Sequence, residues 1–212
     1  MARELIVLGG GEHARVILDA ARSCAGHADA WTELGYSDRQ PVPATEERLG
    51  LPWLGQDDEV LTKYAERAFF ILGVGDPRRR RALAERHPGI RWGNVVHVNA
   101  SVSSSVQVGH GIVVMAGAVI NTGASLGDHA IVNTGAIVEH DVKVGSLVHV
   151  GPAVAIGGGA LIGDRATLGL GARIRDHVTV GEDAVVGMGA VVVGNVEPGV
   201  TVVGVPARPW RK

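Results

Sequence analysis

The stretch "ASLGDHAIVNTGAIVEHDVKVG" (residues 124–145) decides the fold. Stepping by six from Leu126 gives Val132, Val138 and Val144. Four residues after each stands Ala130, Ala136, Val142 and then Val148. The pattern runs outward in both directions. Val96, Val102, Val108, Val114 and Ile120 precede it; Val150, Ile156, Ile162, Leu168, Ile174, Val180, Val186 and Val192 follow, all aliphatic. The companion positions from Ala100 to Val196 are all Ala, Val or Ile. Neither the 3.6-residue helical period nor strand alternation holds such a phase. Stacked coils of hexapeptide repeats do, each coil burying the next in a parallel β-helix. The aliphatics are expected to point inward along the whole series. The phase predicts no slip and no long inserted loop. Glycine at the second hexad position (Gly109, Gly127, Gly145, Gly163, Gly181) is expected at tight corners with positive φ.

Upstream the grammar differs. Short apolar runs at 4–9 and 69–75, and a mixed run at 30–38, read as strands. Segments 12–24, 56–68 and 76–87 read as helices, the first burying Val16, Ile17, Ala20 and Ala21. Strand–helix alternation predicts a small parallel sheet with helices on its faces. The chain therefore divides at 1–93, a Rossmann-like α/β domain, and 94–212, the β-helix with a short basic tail.

Composition excludes several classes. The chain has 212 residues, 46% hydrophobic, with 31 glycines and 4% aromatics, so its core is aliphatic. A formal charge of −2 gives no field to gather nucleic acid or an anionic membrane. Cys24 is the single cysteine, which precludes an intrachain disulfide and fits a cytoplasmic protein. No signal peptide is expected, and no run of about 18 apolar residues marks a membrane span.

Within the repeats, Glu139-His140-Asp141 places an imidazole between two carboxylates at a corner position, with His149 nearby in sequence. Such an imidazole can accept a proton near neutral pH, and a neighbouring carboxylate can fix its tautomer. The residues alone leave Glu139 and Asp141 both open as that carboxylate. "GGGEHA" (9–14), between a strand and a helix, fits G-x-G-x-x-A, with N–H groups available to a phosphate. "DPRRRR" (76–81) puts four arginines on one helix, so most must be solvated.

The hexads, together with "LIVLGGGEHARVILDAA" (5–21), "NTGAIVEHDVKVGSLVHVGPAVAIGG" (133–158) and "VVGVPARPW" (202–210), resemble the hexapeptide-repeat sugar acetyltransferases. These act on nucleotide-linked 4-amino sugars or on sialic acids. The resemblance implies a left-handed β-helix and a homotrimer, with acetyl-CoA as co-substrate in the groove between two rods and no metal. It implies that a nucleotide-linked 4-amino-4,6-dideoxy sugar is held by the N-terminal domain against the same groove. His140 is then the general base and Asp141 its orienting carboxylate. Gly11, Glu12, His13, Ser37, Asp38 and Arg80 are implied as substrate-binding, and His149, Leu170 and Met188 as acetyl-CoA-binding. The family often has two aspartates where this chain has Ser37-Asp38, which leaves the nucleobase open. Arg208, Arg211 and Lys212 in the tail are candidates for CoA phosphates.

Cys24, in the N-terminal half, argues against an acyl-cysteine and for direct transfer. The runner-up activity is O-acetylation of a sialic acid. A zinc hydratase like the γ-class carbonic anhydrases needs a histidine pair five residues apart. His97, His110, His129, His140, His149 and His177 include none. A non-catalytic nucleotide-sugar scaffold gives no role to both His140 and His149.

Overall fold

The structure, a computed structural model, describes residues 3–24, 30–87 and 89–210. The chain forms two compact units, Met1–Val98 and Asn99–Lys212.

In the first unit, β1 (Arg3–Leu8), β2 (Trp31–Ser37) and β3 (Phe69–Leu72) form a parallel sheet in the order β2-β1-β3. The central strand is wholly apolar from Leu5 to Leu8 and fully buried, as a strand covered on both faces must be. Helices α1 (Glu12–Ser23), α2 (Pro43–Leu49), α3 (Asp57–Tyr64) and α4 (Pro77–Arg86) connect and cover the strands. Helix α2 goes beyond the three helices the sequence pattern predicts. Its signals are Pro43 in the first turn and Gly50 as a left-handed cap, where φ is 62°. Helix α1 buries Ala14, Ile17, Leu18, Ala20 and Ala21, whereas Val16 faces out, one position off the expected face.

The second unit is a parallel β-helix of two-residue strands. Ile131 and Val132 pair with His149 and Val150, three hexads on, and these pair with Thr167 and Leu168. One coil is thus three hexads, and the strands form three faces. Face one carries Val113–Val114, Ile131–Val132, His149–Val150, Thr167–Leu168 and Val185–Val186. Face two carries Val119–Ile120, Ile137–Val138, Ala155–Ile156, Arg173–Ile174 and Val191–Val192. Face three carries Ser125–Leu126, Lys143–Val144, Leu161–Ile162 and Thr179–Val180. From Val114 to Val192 every sixth residue is buried, together with its companion from Ala118 to Ala190.

Three expectations for the rod fail. Val102 and Val108 are 37% and 50% exposed, and Val96, in the first unit, is also exposed. Val102 and Val108 lie in the first coil of the rod, where burial from a preceding coil is missing. The phase slips after Val192. Val196 pairs with Val180 and Val202 with Val186, so each of these steps falls two residues short of three full hexads. Val196 therefore occupies a strand position rather than a companion position.

The second-position glycines do not have positive φ. That conformation falls two residues later, at Gly111, Gly117, Gly123, Gly135, Gly159, Gly171 and Gly189, and also at His129, Asp141, Leu147, Ala153, Arg165, His177 and Asp183. The second-position glycines are required for clearance instead: a Cβ on Gly127 would lie 2.5 Å from the Ser146 nitrogen of the next coil.

Candidate active site

His140 sits at the edge where face two turns into face three, between Ile137–Val138 and Lys143–Val144. Val138 and Val142 point inward and anchor the turn, while the side chains of His140 and Asp141 are exposed. Asp141 adopts φ 58°, a left-handed conformation that aspartate tolerates better than most residues. That backbone brings Asp141 Oδ2 to 2.9 Å from His140 Nδ1. The carboxylate fixes the proton on Nδ1 and leaves the lone pair on Nε2, the tautomer a base needs. The hydrogen bond from the imidazole to Asp141 raises the His140 pKa above its usual value, with the charges of Asp141 and Glu139 adding to it. Glu139 does something different. Its Oε2 accepts the His140 backbone N–H at 3.3 Å and the Asn121 amide at 3.0 Å.

Two glycines shape this corner. A Cβ on Gly158, one coil after His140, would lie 2.6 Å from His140 Nε2. A Cβ on Gly123, one coil before Asp141, would lie 2.4 Å from Asp141 Oδ1. The imidazole rests over bare backbone of the next coil, and the carboxylate over bare backbone of the previous one. Gly123, Gly158 and Asn121 escape a reading by single hexads; a step of one whole coil in either direction finds them.

His149 lies on face one, half-buried, with its Nε2 3.4 Å from Asn133 Nδ2. The Asn133 carbonyl oxygen already accepts the Thr134 N–H at 2.8 Å, so the amide presents NH2 to the ring. Nε2 is then an acceptor, and the donor of neutral His149 is Nδ1–H. Leu170 and Met188 stack one coil apart at the edge between faces one and two, 55% and 79% exposed. Within one rod, His149, Leu170 and Met188 therefore lie on one side, and His140 with Asp141 on the edge opposite face one.

In the first unit, the loop after β1 is tightly built. Gly9 has φ 104°, and a Cβ on Gly10 would meet the Tyr36 ring at 2.3 Å. Gly11 caps α1 with no side chain of its own, facing open space, and Glu12 is exposed. His13 is half-buried beside Gly75, with its Cβ and Cγ 3.9 Å from where a Gly75 side chain would begin. Asp38 Oδ2 accepts the Gly10 N–H at 2.9 Å. Ser37 is fully buried, and its hydroxyl donates to Asp57 Oδ1 at 2.6 Å. Arg80 is 1% exposed, and its Nη1 donates to the Gly75 carbonyl at 2.7 Å. Burial pushes its pKa down to about 10, with Asp76 opposing the shift. The side chains of Arg79 and Arg81, on either side of it, are about half exposed.

Cys24 Sγ donates to the Val96 carbonyl at 3.1 Å. Arg208 is exposed, whereas Arg211 and Lys212 lie outside the described residues. Among the described residues, no three His, Cys, Asp or Glu side chains converge as metal ligands, and no helix is long and apolar enough to cross a membrane.

A hexad β-helix bearing a carboxylate-oriented imidazole, preceded in the chain by a Rossmann-like unit with a glycine-rich loop, has the parts of a group-transfer enzyme: a positioned base and a loop suited to a phosphate. Comparison with known proteins agrees. Residues 4–87 match the PglD N-terminal domain family. PerB from Caulobacter crescentus, solved with CoA and GDP-perosamine, is 38% identical over 98% of this chain and 97% of its own, with a TM-score of 0.88. The acetyltransferase domain of PglB from Neisseria gonorrhoeae FA1090, solved with acetyl coenzyme A, is 32% identical over 99% of this chain and 100% of its own, with a TM-score of 0.89. WeeI from Acinetobacter baumannii AYE shares the fold at 23% identity, 99% and 100% coverage and a TM-score of 0.84. No curated protein sequence matches. The chain belongs to the hexapeptide-repeat sugar acetyltransferases, acyltransferases that use acetyl-CoA.

Proposed function

We propose that this enzyme transfers acetyl from acetyl-CoA to the amino group of a nucleotide-linked 4-amino-4,6-dideoxy sugar, with His140 as general base. The observation that carries the assignment is the 2.9 Å contact between His140 Nδ1 and Asp141, which leaves Nε2 as the proton acceptor over Gly158. The neutral amine attacks the thioester carbonyl. The C–N bond forms, the amine proton passes to Nε2, and the C–S bond breaks as CoA leaves as thiolate. The imidazolium then returns the proton to the CoA sulfur. His149 Nδ1–H is the donor for the carbonyl oxygen as negative charge builds there, the kind of contact that contributes most in acyl transfer. Leu170 and Met188 line the path of the pantetheine arm. Gly11, Glu12, His13 and Asp38 bind the nucleotide sugar in the first unit; Ser37 and Arg80, expected there too but both buried, act behind them through Asp57 and Gly75. PerB, 38% identical and solved with GDP-perosamine, supports the substrate class.

The active protein is a homotrimer acting in the cytoplasm, where acetyl-CoA is made. His140 and His149 lie on opposite sides of one rod, so one acetyl group can meet both only if the second comes from another copy of the chain.

A thiol-release assay with acetyl-CoA against UDP-, GDP- and dTDP-linked 4-amino sugars and against sialic acids tests the substrate. Turnover confined to the amino sugars, and lost in His140→Ala with the fold retained, is expected. Turnover of sialic acid alone, or an active His140→Ala, overturns the assignment.

A further inference from the structure

We infer that a nucleobase pocket specific for guanine lies beyond the end of β2, with Asp57 and Arg39 as its reading groups. The inference rests on the first unit's role as nucleotide-sugar binder and adds which base it selects. In the order β2-β1-β3, the first crossover runs from β1 to one neighbour and the second returns past β1 to the other side, so the crevice for a nucleotide lies at the carboxyl ends of these strands. The glycine loop stands at the end of β1, where phosphates bind helix N-termini. Asp38, next along, is placed as the acid that takes ribose hydroxyls in such folds. Its two oxygens hold the Gly10 and Arg39 N–H groups at 2.9 and 2.7 Å, and each keeps a further lone pair.

Arg79, 3.9 Å from Asp38, leads from there into a depression of two adjoining cavities, about 220 and 160 Å³. Both are walled by Arg39, Asp57 and Arg86, with Leu83 as apolar floor in the smaller. Asp57 is a built feature of this wall. The buried Ser37 hydroxyl holds Oδ1 at 2.6 Å, which leaves Oδ2 for a ligand. Arg86 is engaged by Asp58 at 2.6 Å. Arg39 is exposed and has no ion pair among the described residues.

A fixed carboxylate and a spare guanidinium on one rim select among bases. Guanine presents adjacent N1–H and N2–H donors on one edge and the acceptors O6 and N7 beside them. The donors suit Asp57, and O6 and N7 suit a bidentate arginine. Uracil and thymine offer a single donor, N3–H, and no adjacent acceptor pair for the fork. Adenine places an amine where Arg39 needs an acceptor.

Equilibrium binding of GDP, UDP, dTDP and ADP to the full-length protein, without acetyl-CoA, tests this. Reading nucleotide affinity alone separates the outcome from any failure of acetyl transfer. GDP is expected to bind at least about tenfold more tightly than the others, the value of one good bidentate contact. Asp57→Asn and Arg39→Met should each weaken GDP by a similar factor and leave UDP unchanged. Arg39, on an exposed loop, is the control against misfolding of the Asp57 variant. Equal affinity for UDP or dTDP overturns the assignment. So does a uniform loss for every nucleotide in both variants, which would make these residues structural.

Discussion

Gly158→Ala is the sharpest probe of the corner that holds His140. The added methyl carbon would start 2.6 Å from His140 Nε2 and 2.7 Å from Cε1. Non-bonded contacts of this kind settle near ~3.5 Å, so the ring must yield by roughly 1 Å. The coil beneath cannot yield instead, because the Gly159 N–H is bonded to the His140 carbonyl at 2.9 Å and Ala160 is buried in the core. The imidazole must swing, which breaks its 2.9 Å bond to Asp141 and re-aims Nε2. A displacement of about 1 Å at a reacting group costs on the order of 10²-fold in rate. Folding should not suffer. Gly158 lies outside the left-handed region, so alanine fits its backbone and contributes about 0.4–1 kcal/mol through the unfolded chain. Initial-rate assays at saturating acetyl-CoA and thermal unfolding on the same preparation separate the two effects. The expected result is a kcat lowered by about two orders of magnitude with an unchanged or higher Tm. A Gly158→Ala protein with wild-type kcat would falsify the placement of the working imidazole over that glycine.

Two further outcomes follow from the same geometry. Asp141 raises the His140 pKa, and the base works when neutral, so activity climbs as pH rises through that pKa. In Asp141→Asn the inflection of kcat/KM should move to lower pH and the plateau should fall; an unmoved inflection would assign the titration to another group. If His140 and His149 serve one acetyl group from different protomers, His140→Ala and His149→Ala chains are each inactive alone. Co-assembled, they should recover partial activity, because some sites receive both wild-type residues. Persistent inactivity of mixed trimers would place both histidines in one protomer's site.

The rod is legible in the sequence because its code is periodic: one inward aliphatic every six residues needs no long-range information. What the hexads hide is the number of faces. Once strands pair a full coil apart, His140 acquires Gly158 as its floor and Glu139 acquires Asn121 as its partner. The three-faced coil also parts His140 from His149, neighbours in sequence but on opposite sides of the rod. The role of glycine is hidden for a related reason. At the second hexad position it gives clearance from the next coil, which a single coil's sequence does not display. The carboxylate that orients His140 also depends on backbone conformation, since Asp141 reaches Nδ1 from a backbone of positive φ. In the first unit, Arg80 reads as one member of a mostly solvated arginine run, yet its helical position turns it inward beneath Gly75.

The shortened final coil bears on how the rod ends. A rod of identical coils ends in three bare strand edges, each able to template another rod, which is the logic of a fibril. Here the curtailed step breaks the repeat, and the chain then reverses. Arg208–Pro209 lies antiparallel across Val202–Val203, with Pro209 opposite Val202. Proline offers no N–H to a further strand, and Arg208 sets a charge on that edge. Face one therefore closes on a short, charged, proline-bearing edge rather than on a strand that another rod could extend.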